Sequence, residues 1–243
     1  MFIKNIKSDN YSAPRNGKRL IRYIVIHYTG MQSERVSIRR LCNKNSKVSS
    51  HYLIGKKGNI VSMVNEKNIA WHAGKSKWKN IINLNNGSIG IELVNKGHSN
   101  GYENFSKIQV IKLISLCKIL IKKYKIKKEN ILGHSDIAPL RKIDPGEKFP
   151  WYFLSKKEVG FWYKLSKKNI HLKNLNRVDL RRIFFKNLFK IGYRYFSLQR
   201  ASKSDTKIVK AFQRRFRQNK INGLIDPETF KIAEYLAKTQ KLA

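Results

Sequence analysis

The chain has 243 residues, enough for one full hydrophobic core and a small second one, and its 41% hydrophobic content suits a soluble globular protein. A net charge of +37 points to a polyanionic partner, although the joint abundance of Lys, Ile and Asn fits a nucleotide-composition bias equally well. Cys42 and Cys117 form no CxxC motif, which argues against a disulfide framework or a thiolate zinc finger, and no run approaches the length of a membrane span.

The opening MFIKNIKSDN lacks the apolar segment and cleavage site of a secretory signal. RYIVIHYT, residues 22–29, is β-branched and aromatic, which predicts a strand that delivers His27 near its end. SERVSIRRLCNKN predicts a short helix, and HYLIGKKGNIVSMV predicts a hairpin at residues 51–64. A strand from Ser88 to Val94 follows, with Glu92 inside it. The stretch from Ser106 to Tyr124 has helical apolar spacing at Ile111, Ile114, Cys117 and Ile121, with Cys117 a buried thiol. Strands framing a long helix imply an α/β domain with a mixed sheet, taken as residues 1–155. Residues 156–174 read as a linker, and residues 175–243 as a small all-α bundle. In the bundle Asp205 and Asp226 are predicted N-caps, with Pro227 at a first helical position, and Ile208, Ala211, Phe212 and Phe216 make one apolar stripe.

Six histidines are present; His98 lies in a polar loop and His171 in the linker, so both are expected to be solvated. The other four, His27, His51, His72 and His134, fall in the α/β region together with Glu92. A polar ring at the end of an apolar strand costs stability unless it is hydrogen-bonded or bound to metal. The segment GHSDIAPLRKIDPG, residues 133–146, gathers His134, Asp136, Lys142 and Asp144 between prolines and glycines. A zinc hydrolase takes three protein ligands and leaves a fourth position open. His27, His134 and an acid of this loop could supply them, and the residues alone do not choose between Asp136 and Asp144. Glu92 is then the candidate general base, and Lys142 could offset charge on a tetrahedral oxygen.

The pieces NYSAPR, IVIHYTG, SSHYLIGKKGNI, AWHAG, SIGIELVN and GHSDIAPLRKIDPG stand in one order across residues 10 to about 152. In that order they resemble the zinc-dependent N-acetylmuramoyl-L-alanine amidases of the second amidase family. The resemblance implies zinc held by His27, His134 and Asp144, with Asp136 left to support the loop. It also implies Glu92 as catalytic base and Lys142 as the oxyanion-stabilising lysine. The phage lysozyme branch has cysteine as its third ligand and tyrosine just before the hairpin histidine; this chain has Asp144 and Ser50, and so resembles the glutamate-dependent branch. His51 and His72 are not ligands in the family, and His72 is expected to line the cleft beside Trp71 or to pack behind the ligands. AFQRRF with INGLIDPETFKIAEYL is similar to the three-helix peptidoglycan-binding domain found beside wall hydrolases.

The implied substrate is peptidoglycan or a muropeptide, cut at the amide between the lactyl group of N-acetylmuramic acid and L-alanine. The expected enzyme is a monomer of the periplasm or cell envelope, with cytoplasmic recycling as the alternative. A non-catalytic peptidoglycan-recognition protein would have lost a ligand or Glu92, and none is lost. A nucleic-acid binder using KAFQRRFRQNK is disfavoured because Phe212 and Phe216 are committed to the buried stripe.

Overall fold

The computed structural model describes residues 3–165 and 176–239. The strands are β1 (Ile3–Asn5), β2 (Tyr11–Ser12), β3 (Tyr23–Tyr28), β4 (Tyr52–Ile54), β5 (Ile60–Ser62), β6 (Ile69–Ala70), β7 (Lys77–Trp78), β8 (Ile81–Ile82), β9 (Ser88–Leu93) and β10 (Ile131–Gly133). The helices are α1 (Glu34–Cys42), α2 (Lys107–Tyr124), α3 (His134–Ile137), α4 (Trp151–Lys156), α5 (Arg177–Ile191), α6 (Asp205–Phe216) and α7 (Pro227–Thr239). Six strands make one mixed sheet in the order β1-β5-β4-β9-β3-β10, with β4 and β5 the antiparallel hairpin and the other neighbours parallel. The α/β fold with a C-terminal helical region is the one expected.

Strand periodicity decides what each face carries, because successive side chains point to opposite sides. On β3 and β9, Ile24, Ile26, Ile89 and Ile91 turn to one face, where Val110, Leu113, Ile114, Cys117 and Leu120 of α2 cover them. The alternate residues, Tyr23, Val25 and His27 on β3 and Ser88, Gly90 and Glu92 on β9, turn to the other. Ser106 caps α2 by accepting from the Gln109 N–H, and Cys117 is a fully buried free thiol. Of the stripe expected on α2, Ile114 and Cys117 are buried, whereas Ile111 is 52% exposed; Val110, Leu113, Leu116 and Leu120 complete the buried face. Apolar residues such as Ile108, Ile111 and Ile119 also fall on the exposed side of this helix, so more than one stripe fits its sequence and the sheet selects one.

The second face is covered at its lower end by the C-terminal helices. Tyr23, Val25, Leu132, Ile137 and Trp78 share one buried cluster with Phe184, Leu188, Tyr193, Phe212 and Phe216. The bundle therefore forms a third layer on the sheet. Phe161 and Trp162, in the first part of the expected linker, already pack on Phe216; the rest of it, with His171, lies outside the described residues. Asp226 accepts from the Thr229 N–H as an N-cap ahead of Pro227. Asp205 does not cap: it is the first residue of α6, and its carboxylate takes the guanidinium of Arg181 at 2.8 Å.

Candidate active site

The site grows from the ends of adjacent strands. In the parallel pairing of β3 with β9, His27 stands in register with Glu92, so both side chains project to the same face at neighbouring positions. β10, on the other side of β3, ends at Gly133 and passes directly into α3, whose first residue is His134. The loop then returns Asp144 to this point, with the Ser135 N–H donating to the Asp144 carbonyl at 2.9 Å. Strand order thus assembles residues that lie more than a hundred positions apart.

His27 Nδ1, His134 Nδ1 and Asp144 Oδ2 form a triangle with sides of 2.9, 3.1 and 3.1 Å. All three residues are buried. The hydrogen bonds around the triangle assign the tautomers. His134 Nε2–H donates to the Ala73 carbonyl at 3.1 Å, which leaves its Nδ1 as a lone pair. Behind His27 runs a longer chain: the Ser88 hydroxyl donates to the Leu84 carbonyl at 2.6 Å and so accepts from His72 Nε2–H at 3.2 Å. His72 Nδ1 must then accept from His27 Nε2–H, at 3.0 Å, and the His27 Nδ1 lone pair also faces the triangle.

Two imidazole lone pairs and a carboxylate oxygen pointed at one another repel unless a cation lies among them. Donors about 2.0–2.1 Å from a tetrahedral zinc ion stand about 3.3 Å apart, so a triangle of this size and this donor set fits such an ion. Burial holds His27 down at about 4, with the His134 charge acting in the same direction and Asp144 opposing. Burial alone would raise the Asp144 carboxyl, but His134 and His27 outweigh it and hold it well below the usual carboxylate range.

The triangle opens on a cleft of about 350 Å³ lined by Trp71, His72, Glu92, Arg141 and Lys142 as well as the three converging residues. Glu92 is partly buried, with one carboxylate oxygen enclosed and without a hydrogen-bond partner. Burial pushes its carboxyl up to about 8; the Asp144 charge adds to the shift and Lys142 opposes it. Such a group is poised to take a proton near neutrality. Lys142 is set by a turn in which its N–H donates to the Ala138 carbonyl at 3.0 Å. Trp71 is anchored through Nε1–H to Ser12 Oγ at 2.8 Å and leaves its ring at the cleft wall.

His72 meets both descriptions offered for it. It borders the cleft, yet it is only 8% exposed and its ring is hydrogen-bonded behind His27. Gly90 makes room for it, since a Cβ there would come within 2.4 Å of His72 Cγ. His51 is fully buried away from the triangle, its Nδ1 accepting from the Gly90 N–H at 3.0 Å and its Nε2 bonded to the Asn68 carbonyl at 3.1 Å. His98, expected to be solvated, is instead stacked on Tyr102 with a ring separation of 4.2 Å and bonded to Glu147 and the Tyr28 hydroxyl. Arg141 was given no role by the sequence; its guanidinium donates to the Ala73 and Lys75 carbonyls and closes one side of the cleft.

A family model described as N-acetylmuramoyl-L-alanine amidase matches residues 16–147, which include every residue of the triangle and Glu92. The chain belongs to the N-acetylmuramoyl-L-alanine amidase family. Over 231 residues it is 36% identical to the N-acetylmuramoyl-L-alanine amidase AmiD of Escherichia coli, spanning 89% of this chain and 82% of that protein. Its fold superposes on AmiD, solved in complex with the substrate anhydro-N-acetylmuramic acid-L-Ala-D-gamma-Glu-L-Lys, with a TM-score of 0.78 and 34% identity over 94% of this chain and 91% of the solved AmiD chain. AMPDH3 from Pseudomonas aeruginosa matches with a TM-score of 0.81 at 29% identity, over 96% and 98% of the two chains. Within the amidase family, the shorter match to the 1,6-anhydro-N-acetylmuramyl-L-alanine amidase AmpD of Haemophilus influenzae is 42% identical, across 43% of this chain and 55% of AmpD.

Proposed function

We propose that this amidase is zinc-dependent and hydrolyses the amide joining the lactyl group of N-acetylmuramic acid to L-alanine in peptidoglycan or muropeptides. The observation that carries the reading is the convergence of three metal-type donors with a raised carboxyl, Glu92, on one wall of an open cleft. The likeness to AmiD, captured with a muramyl peptide, supports the substrate class. His27, His134 and Asp144 would hold the ion. Zinc so held supplies a Lewis acid and lowers the pKa of water toward 7.

The remaining chemistry belongs to the side chains. Glu92, ionised, accepts a proton from the attacking water as the C–O bond forms, and passes it to the leaving amine as the C–N bond breaks. The products are a free lactyl carboxylate and a free L-alanine amino group, so atoms and charge balance. Lys142 stabilises the carbonyl oxygen as negative charge grows on it, a contribution that exists only in the transition state. Trp71 and His72 would pack against sugar or peptide at the cleft wall. All these groups come from one chain, which supports action as a monomer.

We also propose that the C-terminal helices bind peptidoglycan. Arg177, Arg181, Arg182 and Lys186 line a groove of about 620 Å³ together with Val178 and Leu198, a lining suited to an anionic glycan-peptide polymer. An envelope location follows from that role. The deciding experiment incubates the full chain with anhydro and ordinary muramyl tripeptides and reads the products by mass spectrometry. The expected products are a peptide with a new N-terminus on L-alanine and a sugar bearing the lactyl acid, from both substrates. Cleavage inside the peptide or at a glycosidic bond would overturn the assignment.

A further inference from the structure

The groups that make Asp144 a ligand leave its neighbour Asp136 unexplained. Asp136 has no exposed surface, and every bond to its carboxylate comes from a donor. Oδ2 accepts from the Gly133 N–H at 2.8 Å and from Arg215 Nη1; Oδ1 accepts from the Tyr193 hydroxyl at 2.6 Å. Gly133 is local, but Tyr193 follows α5 and Arg215 lies in α6. Two long side chains of the C-terminal bundle thus reach beneath the loop that carries His134 and Asp144.

The grip is bidentate in a useful sense. While Nη1 of Arg215 holds Asp136, its Nη2 donates to the Ile131 carbonyl at 2.7 Å, at the first residue of β10. One guanidinium therefore ties the start of the strand to the helix that follows it, and His134 lies between the two points. Arg215 is 2% exposed and lies on the Trp151 ring, its central carbon 4.3 Å from the ring centroid. The bundle is seated independently of this pair: the Lys79 N–H donates to the Gly192 carbonyl at 2.8 Å, Trp78 packs on Tyr193, and Gln218 Nε2 donates to the Phe149 carbonyl at 2.6 Å.

We propose that Arg215 and Tyr193 are positioning residues for the metal loop, so that the helical bundle is a working part of the catalytic centre through Asp136. A planar fork with two fixed partners restrains direction as well as distance, which a lysine could not do. Breaking a buried charge pair by removing one partner leaves the other charge without compensation, so the loop must shift to relieve it. Displacing His134 relative to His27 would then open the triangle. The proposal rests on the zinc reading only for its metal readout.

The test uses the full chain in three forms: wild type, Arg215→Met, and Arg215→Met with Asp136→Asn, at a temperature where circular dichroism shows all of them folded. Zinc affinity is measured by chelator competition, and the histidine rings are followed by ¹⁵N–¹H correlation NMR in chelated protein. Arg215→Met should weaken zinc binding by about 10- to 100-fold, the usual scale for groups that orient a ligand. The double variant, which removes both charges but keeps an acceptor for the Gly133 N–H, should recover stability but only part of the zinc affinity, because the grip on Asp136 and Ile131 is still missing. Full recovery of affinity would mean that Arg215 only neutralises Asp136 and would overturn the positioning role. Without metal, the His134 ring signals should move in Arg215→Met while those of His51 stay in place. If Arg215→Met does not fold, Tyr193→Phe tests the other bond, with a several-fold loss of affinity expected. Zinc affinity within twofold of wild type, despite a lower Tm, would overturn the proposal. A wild type that holds no zinc would defeat the zinc reading instead, and unchanged His134 signals in the chelated variant would then overturn the coupling separately.

Discussion

Asp136, in α3, and Asp144, in the segment that follows it, are both nearly out of solvent, and their surroundings are opposite in kind. Asp144 Oδ2 faces two imidazole nitrogens whose protons are engaged elsewhere, so it stands among acceptors. Asp136 faces an amide N–H, a phenol and a guanidinium, so it stands among donors. A buried carboxylate among imidazole lone pairs is completed by a proton or a metal ion shared with them; one among donors is already complete. Burial alone separates nothing here. The partners on the far side of each oxygen distinguish ligand from brace.

The widest separation between the two should appear in zinc content. Asp144→Asn removes one of three converging donors, and we expect metal per chain to fall from one toward zero with activity lost alongside it. Asp136→Asn leaves the donors in place but strands the Arg215 charge, at a cost of about 3–5 kcal/mol of stability by analogy with other broken buried pairs. It should therefore bind zinc more weakly than wild type yet far better than Asp144→Asn. Elemental analysis beside a denaturant titration checks both quantities, and equal zinc loss in the two variants would erase the distinction.

Next in size is the effect at Glu92, which borders the triangle without being one of its three donors. Glu92→Gln nearly conserves shape and removes the proton acceptor, so turnover should fall by about 100-fold or more with zinc and substrate binding retained. Lys142→Ala should also keep its metal, and should lower kcat more than it changes KM. Full activity in Glu92→Gln would move the base elsewhere in the cleft.

Much of the first region was legible because strands advertise themselves. RYIVIHYT and SIGIELVN carry β-branched runs with one polar interruption each, and pairing the strands puts His27 beside Glu92. The ligand set came from resemblance; the residues by themselves left Asp136 and Asp144 as equals. The second region was hidden for two physical reasons. Arg215 is one of 52 basic residues, and abundance makes any single one look like solvated decoration. Yet a signal existed: Arg215 follows Ala211 by one helical repeat and precedes Phe216, inside the buried stripe of α6, and a charge on such a stripe demands a partner. Tyr193 carried no such mark, since its contact depends on how the bundle docks. The chain from His27 through His72 to Ser88 was equally unreadable, because it depends on register and on the space left by Gly90.

That chain yields a smaller effect. Ser88→Ala removes the acceptor for His72 Nε2–H and frees His72 to adopt the other tautomer, in which it no longer accepts from His27. Zinc affinity should fall by about 10-fold, at the low end for outer hydrogen-bonding partners of metal ligands, and the buried Leu84 carbonyl loses its donor at a cost of about 1–3 kcal/mol of stability. A loss as large as that of Asp144→Asn would mean that Ser88 does more than fix a proton.

The smallest effect is in the pH dependence of stability of the chelated chain, and it isolates Glu92 from the histidines. His27, held at about 4, and His51, held at about 3, are neutral in the folded state and take up protons on unfolding below about 6.5. Their contribution to stability is therefore lost as pH falls below that value and is flat above it. Glu92 has the opposite sign. Its folded pKa of about 8 lies above its unfolded value, so between the two the native state holds a proton that the unfolded state has released. Stability then declines as pH rises, with a slope bounded by about 1.4 kcal/mol per pH unit and reduced by the carboxyl's partial access to solvent. Glu92→Gln keeps the same histidines, so their contribution cancels in the comparison, and between about pH 6.5 and 8 urea titrations of chelated wild type should show a decline relative to Glu92→Gln. Parallel curves for the two proteins would mean that Glu92 is already ionised without metal, and that the enclosure of its carboxylate does not raise its proton affinity toward neutrality.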